Sequence, residues 1–259
     1  MSTNILVLAV GDPQQTASTI FRVAQYGQAW AKQGVDLHYI QRPSISRDIL
    51  AQVRSADVVL NQKCVLNTSL SKAIRQASRR LIFDFDDAVW TRPGSDFSWF
   101  TRWRVSSRLR WWMRESDVVS VHSNLTPEKY HMIRAEHLAL MKPSAYFVNV
   151  ARGALVDQAA LVKVLQERRI AGAGLDVFEV EPLPADDPLT ELDNVLLTPH
   201  WTPATSDIWT AGGLQMSQCI LKVARGEVPP NVINRSVLES PHFQAKLARF
   251  AENQEVGSL

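Results

Sequence analysis

The feature that most constrains this chain is the alternation of short apolar runs with amphipathic segments. "NILVLAV" (4–10), "VDLHYI" (35–40), "DVVLN" (57–61), "RLIFDF" (80–85), "DVVSV" (117–121), "AYFVNV" (145–150), "GAGLDV" (172–177) and "NVLLT" (194–198) each have the length and make-up of a strand. Between most of them lie segments of helical periodicity, such as Phe21–Lys32, Ser69–Ala77 and Gln158–Arg168. Strands that are apolar along their length are buried on both faces, and intervening helices supply the long crossovers that parallel neighbours need. The pattern predicts an α/β fold: a doubly wound, mainly parallel, Rossmann-like sheet in three α/β/α layers. The expected strand order resembles 3-2-1-4-5 extended by the later strands, with residues 117–121 as an interior strand. A chain of 259 residues allows one large domain or two small ones. At this size a single-domain fold buries roughly 70–75% of its unfolded surface.

Several function classes lose support from composition. A net charge of +2 is too small to argue for nucleic acid. Cys64 and Cys219 are far apart and flank no second ligand at metal spacing, so they read as reduced thiols, and no metal is expected. The opening "MSTNILVLAVGDP" lacks a basic leader region, and no apolar run approaches the roughly 20 residues of a membrane span. The expected location is the cytoplasm. One stretch stands apart, "FSWFTRWRVSSRLRWWMR" (97–114). Interleaved Trp and Arg can mark a membrane-surface or partner-binding helix, or a nucleic-acid stacking platform. The plainer reading packs Val105, Leu109 and Trp112 on the sheet and leaves the arginines in water.

The chemistry begins with "SDVVSVHSNLTPE" (116–128). A strand ends in a polar loop, and Thr126-Pro127-Glu128 has the form of a helix start: an N-cap, Pro at the first position and an acid in the first turn. Open α/β sheets bind ligands in such loops. Arg152, Glu181 and His200 each follow a predicted strand, so a parallel sheet brings all three to its carboxyl edge. A guanidinium matches a carboxylate with two parallel hydrogen bonds, and an imidazole paired to a carboxylate is a stronger base. The bland alternatives are a surface arginine capping a helix, a solvated loop carboxylate, and a histidine ordering a proline turn.

With "ALMKPSAYFVNVARGALVDQAAL", "RIAGAGLDVFEVEPLP" and "NVLLTPHW", this stretch resembles the second half of the NAD-binding domain of D-isomer-specific 2-hydroxyacid dehydrogenases. The resemblance implies interconversion of a 2-hydroxy acid and a 2-oxo acid with NAD or NADP. Arg152 would hold the substrate's carboxylate and carbonyl. Glu181 would bond His200, which trades a proton with the hydroxyl. His122, Thr126, Val150, Ala151 and Asp176 would face the cofactor, Asp176 at its nicotinamide end.

The first half reads differently. Dinucleotide-binding folds use G-x-G-x-x-G after a strand so that the backbone can approach the pyrophosphate. That motif is absent: "GDPQQTASTIFR" follows the first strand, and "AGAGLD" (171–176) enters a strand instead of leaving one. After the second strand "HYIQRP" supplies no acidic ribose partner. The cofactor is therefore expected to bind weakly. Residues 1–121, through "ILVLAVGDP", "FRVAQYGQAWAKQGVDL", "DVVLNQK" and "RRLIFDFDDAVW", resemble the acceptor-side domain of two-domain glycosyltransferases. Asp84, Asp86 and Asp87 read either as a metal or base cluster or as solvated acids at a strand end. The chain thus reads as a hybrid: a glycosyltransferase-like half at 1–121, a dehydrogenase-like half at 116–225 and a tail at 226–259. Besides a dehydrogenase, it could be a folded hybrid without turnover or a glycosyltransferase fragment.

Overall fold

The computed structural model describes residues 2–12, 15–16, 19–20, 23–44, 46–85, 99–201 and 206–256. The chain forms two compact units, Met1–His200 and Trp201–Leu259. All eight expected strands are present: β1 (Thr3–Ala9), β2 (Val35–Gln41), β3 (Val58–Gln62), β4 (Leu81–Phe85), β5 (Val118–Val121), β6 (Tyr146–Asn149), β7 (Gly172–Leu175) and β8 (Val195–Leu197). They form one sheet in which every pairing is parallel. β5 is an interior strand between β4 and β6, as its sequence predicts.

The order corrects one expectation. It is β2-β1-β3-β4-β5-β6-β7-β8, and not an extension of 3-2-1-4-5. The chain steps once from β1 to β2, crosses back over β1 to β3, and from there advances one strand at a time. Local pattern identifies strands but says nothing of which way a crossover steps, since either direction can use a right-handed connection.

Helices α1 (Gly27–Ala31), α2 (Arg47–Ser55), α3 (Thr68–Ala77), α4 (Trp99–Glu115), α5 (Ala135–Leu138) and α6 (Gln158–Gln166) connect the strands. Among the described residues three of them carry side-chain N-caps. Ser46 accepts from the Ile49 amide, Asn67 from Leu70 and Asp157 from Ala160, at 2.9–3.1 Å. The segment expected as one helix over Phe21–Lys32 is shorter: a 3-10 turn at Ala24–Tyr26 runs into α1, and residues 21–22 lie outside the described residues. The helix expected from Gln158 to Arg168 stops at Gln166, because Arg168 is left-handed (φ 52°).

One core joins α2, α3, α4 and α6 to alternate strand residues. Ile49 and Val53, Leu70 and Ile74, Leu109 and Trp112, and Leu161 and Val164 meet Leu8, Val59, Phe83, Val119, Phe147 and Leu175. Phe83 stacks on Trp112 at 5.8 Å. Leu109, Trp112 and Met113 are buried, so the second part of the Trp/Arg-rich stretch is core-packed, while residue 97, residue 98 and the side chain of Val105 lie outside the described residues. Asp86 and Asp87 lie outside them too. The opposite sheet face is covered less evenly: Val7 and Ala9 are fully buried, but Tyr146 and Leu196 are 53% and 71% exposed.

The second unit holds α7 (Ser206–Ala224) and α8 (Pro241–Val256). Gly226 turns the chain between them at φ 72°, and a Cβ there would lie 2.7 Å from the Leu247 carbonyl oxygen. Among the described residues no helix is long and apolar enough to cross a membrane.

Candidate active site

The site is built where the ladder of β5 to β8 runs out. Register sets Phe85 beside Val121, Val121 beside Asn149, Asn149 beside Leu175 and Leu175 beside Leu197. The pairing continues one residue further: the amides of His122, Asp176 and Thr198 donate to Phe85, Asn149 and Leu175 carbonyls at 2.9–3.0 Å. Those residues therefore leave the sheet from fixed positions on one edge.

Asn149 shapes the loop carrying Arg152. Its side-chain oxygen accepts from the Ala151 amide at 3.1 Å, and its nitrogen donates to the Arg152 carbonyl at 2.9 Å. The buried amide turns the chain back on itself and satisfies two backbone groups that the ended strand leaves open. Gly153 then passes against the loop after β7. A Cβ there would lie 1.9 Å from the Phe178 carbonyl carbon and oxygen, so no other residue fits. Arg152 and the loop holding Glu181 are set side by side by that close approach.

Glu181 and His200 meet directly. The His200 Nδ1 lies 2.7 Å from Glu181 Oε2, while Oε1 accepts from the Phe178 amide at 3.0 Å. The bond to His200 is the main reason that the Glu181 carboxyl is held below its ordinary pKa; burial opposes it, and the Phe178 amide and the charges of His200 and Arg152 add to it. His200 is held in the left-handed region (φ 55°), a conformation rare for a non-glycine residue and enriched at functional sites. The pair borders a cleft of about 610 Å³ lined by Phe178, Pro182, Leu183, Leu197 and Pro199 as well as by Thr198. A carboxylate–imidazole pair with one ring nitrogen left over, against mostly apolar walls, can exchange a proton with a bound oxygen.

Arg152 is exposed and its Nη1 donates to the neighbouring Ala151 carbonyl at 2.5 Å. Its charge is the least of the influences that hold the Glu181 carboxyl low, and among the described residues it makes no hydrogen bond to Glu181 or His200. The candidate cofactor residues divide. Val150, Ala151 and Asp176 sit together at the ends of β6 and β7. Asp176 is buried and accepts from the Thr198 hydroxyl at 2.5 Å. His122 turns instead toward β4: its Nε2 is 2.8 Å from the Ser120 hydroxyl and 3.7 Å from Asp84 Oδ1. Asp84 is no solvated acid. It is 4% exposed, within 3.4 Å of the Gln62 amide nitrogen, which corrects the bland reading for this one of the three strand-end acids.

Thr126 corrects a second expectation. It precedes only a three-residue 3-10 turn, Pro127–Lys129, and its side chain makes no cap bond. Lys129 bonds Asn124 at 2.5 Å, His131 adopts φ 50°, and Ile133 bridges Val156, so the chain is drawn along β6's loop before a helix can grow.

Residue patterns alone missed Asn149, Gly153 and Thr198, whose work is to place others. They also missed the bridge in which Glu179 accepts from the Gln158 amide at 2.9 Å and pairs with His131 at 2.8 Å. The one available signal was a polar residue ending an otherwise apolar strand, "YFVN" followed by "VARG".

Among known proteins, a glyoxylate reductase of Korarchaeum cryptofilum is 48% identical over 134 residues, which are 51% of this chain and 40% of that protein. A D-3-phosphoglycerate dehydrogenase of Methanocaldococcus jannaschii is 46% identical over 121 residues, 47% of this chain and 23% of that one. The matched stretch is thus under half the length of either relative. A solved D-isomer specific 2-hydroxyacid dehydrogenase from Xanthobacter autotrophicus Py2, in complex with NADPH and MES, superposes at a TM-score of 0.44 with 29% identity, covering 87% of this chain and 89% of that one. Residues 88–202, the stretch that carries Arg152, Glu181 and His200, match the family model of the D-isomer specific 2-hydroxyacid dehydrogenase NAD binding domain.

Proposed function

We propose that this chain is an oxidoreductase of the D-2-hydroxyacid dehydrogenase type, interconverting a 2-oxo acid and a 2-hydroxy acid with NAD or NADP. The observation that carries the reading is the His200–Glu181 pair, 2.7 Å apart at the mouth of a mostly apolar cleft, inside the stretch that matches the family model. The nicotinamide cofactor, when bound, supplies or accepts the hydride. In the reducing direction His200 gives a proton to the oxygen of the former carbonyl, and in the other direction it takes one from the hydroxyl. Glu181 orients the imidazole through Nδ1 and balances its charge. Arg152 binds the substrate's carboxylate, for which the bond of its Nη1 to the Ala151 carbonyl leaves the other guanidinium N–H groups as donors.

The nicotinamide end of a cofactor fits the described edge: the Asp176 carboxylate is fixed by Thr198 beside Val150 and Ala151, with His122 and Thr126 on the neighbouring loop. The phosphate end has less to hold it, because no G-x-G-x-x-G follows any strand. Each lost charge-assisted hydrogen bond costs about 1.5–3 kcal/mol, so several together weaken binding by orders of magnitude. We infer weak cofactor binding, and residues 1–121 as a glycosyltransferase-like half joined at β5 to residues 116–225, with 226–259 as a tail. The strand order β2-β1-β3-β4 differs from the 3-2-1-4 winding of the dinucleotide fold and is that of the other common doubly wound sheet.

The test is oxidation of NADH and NADPH with glyoxylate and larger 2-oxo acids, in the wild type and in His200→Ala and Glu181→Gln. His200→Ala is expected to lower turnover about 10²–10⁴-fold. A wild type that turns over and a His200→Ala variant that matches it would exclude the assignment.

A further inference from the structure

A second cavity, of about 210 Å³, lies between α4 and the segment 128–137, and nothing in the proposed reaction uses it. Its lining is cationic and hydroxylic: Arg110, Arg134, His137, Tyr130 and Ser106 line it over the buried side chains of Leu109 and Met132. Arg110 makes no hydrogen bond or ion pair among the described residues. Arg134 spends its Nε on the His131 carbonyl at 3.0 Å, which fixes the guanidinium and leaves its two terminal nitrogens as donors. The Arg134 amide donates to His137 Nδ1 at 3.2 Å, so in the neutral ring the proton sits on Nε2, a further donor. Tyr130 is held in place by stacking on His131, with ring centres 3.9 Å apart.

Among the described residues the one carboxylate in the lining is Glu128, which bonds the Thr126 hydroxyl. Burial is the main reason that His137 is held below its ordinary pKa; the Glu136 carboxylate opposes it, and the charges of Arg110 and Arg134 add to it. Two guanidiniums and an imidazole thus line one confined space, where an anion with several acceptor oxygens can meet all three.

We propose that this pocket is a binding site for a small tetrahedral oxyanion, with inorganic phosphate as its simplest occupant. The planar guanidiniums offer paired donors to two edges of the anion, and the imidazole N–H and the hydroxyls meet the remaining oxygens. The site adjoins the candidate active site through one residue, since His131, next to Tyr130, holds Glu179 two positions before Glu181.

Titration calorimetry of the full chain with sodium phosphate, at fixed ionic strength in chloride, tests the proposal. Saturable binding at one site is expected, weakened about tenfold or more in Arg110→Ala, with Arg110→Lys between the two. Arg110 is exposed on its helix, so this substitution spares the fold, which circular dichroism checks. His200→Ala should bind phosphate as the wild type does. The proposal is overturned by no saturable heat, by undiminished binding in Arg110→Ala, or by loss of binding in His200→Ala, which would place the anion in the other cleft.

Discussion

Gly153 is the residue on which the site's assembly turns. Its missing side chain lets the loop after β6 touch the backbone of Phe178, and through it Arg152 approaches Glu181. Gly153→Ala has nowhere to put its methyl group, so the two loops must part. The expected cost is about 3 kcal/mol, at the upper end for overpacking, with a loss of whatever activity depends on Arg152. Thermal melts and the 2-oxo acid assay read both effects. Glu181 carries a pH prediction. Its pKa is depressed, so the His200–Glu181 bond is fully present above the ordinary carboxyl range and is lost as pH falls through the lowered value. The acid limb of activity should lie below that range, and Glu181→Gln should remove it. His200, Glu181 and Arg152 were legible as residue types at strand ends. Gly153 was not, because a glycine's purpose depends on which other backbone passes it, and nothing local records that.

At the level of elements, two strands begin the same way. "SADVVLN" and "ESDVVSV" each place an aspartate just before the strand. Asp57 accepts from the Asn4 amide at 2.9 Å and pairs with Arg79 at 3.2 Å. Asp117 accepts from the Leu81 amide at 2.8 Å and pairs with Lys142. Each carboxylate thus closes the first rung between its strand and the neighbour. Burial pushes the Asp117 carboxyl up, but the bonds to Lys142 and Leu81 outweigh it, and the net shift is downward. Its stabilisation is therefore present above the ordinary aspartate range and disappears as pH falls through the lowered value. Asp117→Asn should cost about 1–2 kcal/mol near neutral pH, reduced from the full strength of charged hydrogen bonds by solvent screening. The cost should shrink in acid, as urea melts at pH 7 and pH 3 would show. The strands were legible because burial on two faces makes them continuously apolar. The turn at Pro127–Lys129 was not, since Thr-Pro-Glu suits a helix start, and the Lys129–Asn124 bond, the left-handed His131 and the bridge of Ile133 to Val156 that prevent one lie outside that motif.

For the whole molecule, the order of the sheet fixes an order in time. From the β3–β4 pair to the β7–β8 pair each new strand joins the one before it in the chain, so each of these pairings closes over a single crossover. Only β1 has to keep one edge open while β2 pairs and the chain returns with β3. Short closures are fast, and a ribosome delivers them from the amino end. Each emerging strand finds its template already laid down, and the sheet can grow during synthesis in the way a row of stitches follows the thread. Stalled nascent chains of increasing length should gain protease resistance strand by strand from β3 onward. Resistance arriving in one step, only after β8 has emerged, would contradict this. The residues proposed for chemistry come from β6, β7 and β8, so on this course the catalytic edge is the last part of the sheet to be sewn in, and the nascent protein stays inert until its frame is finished.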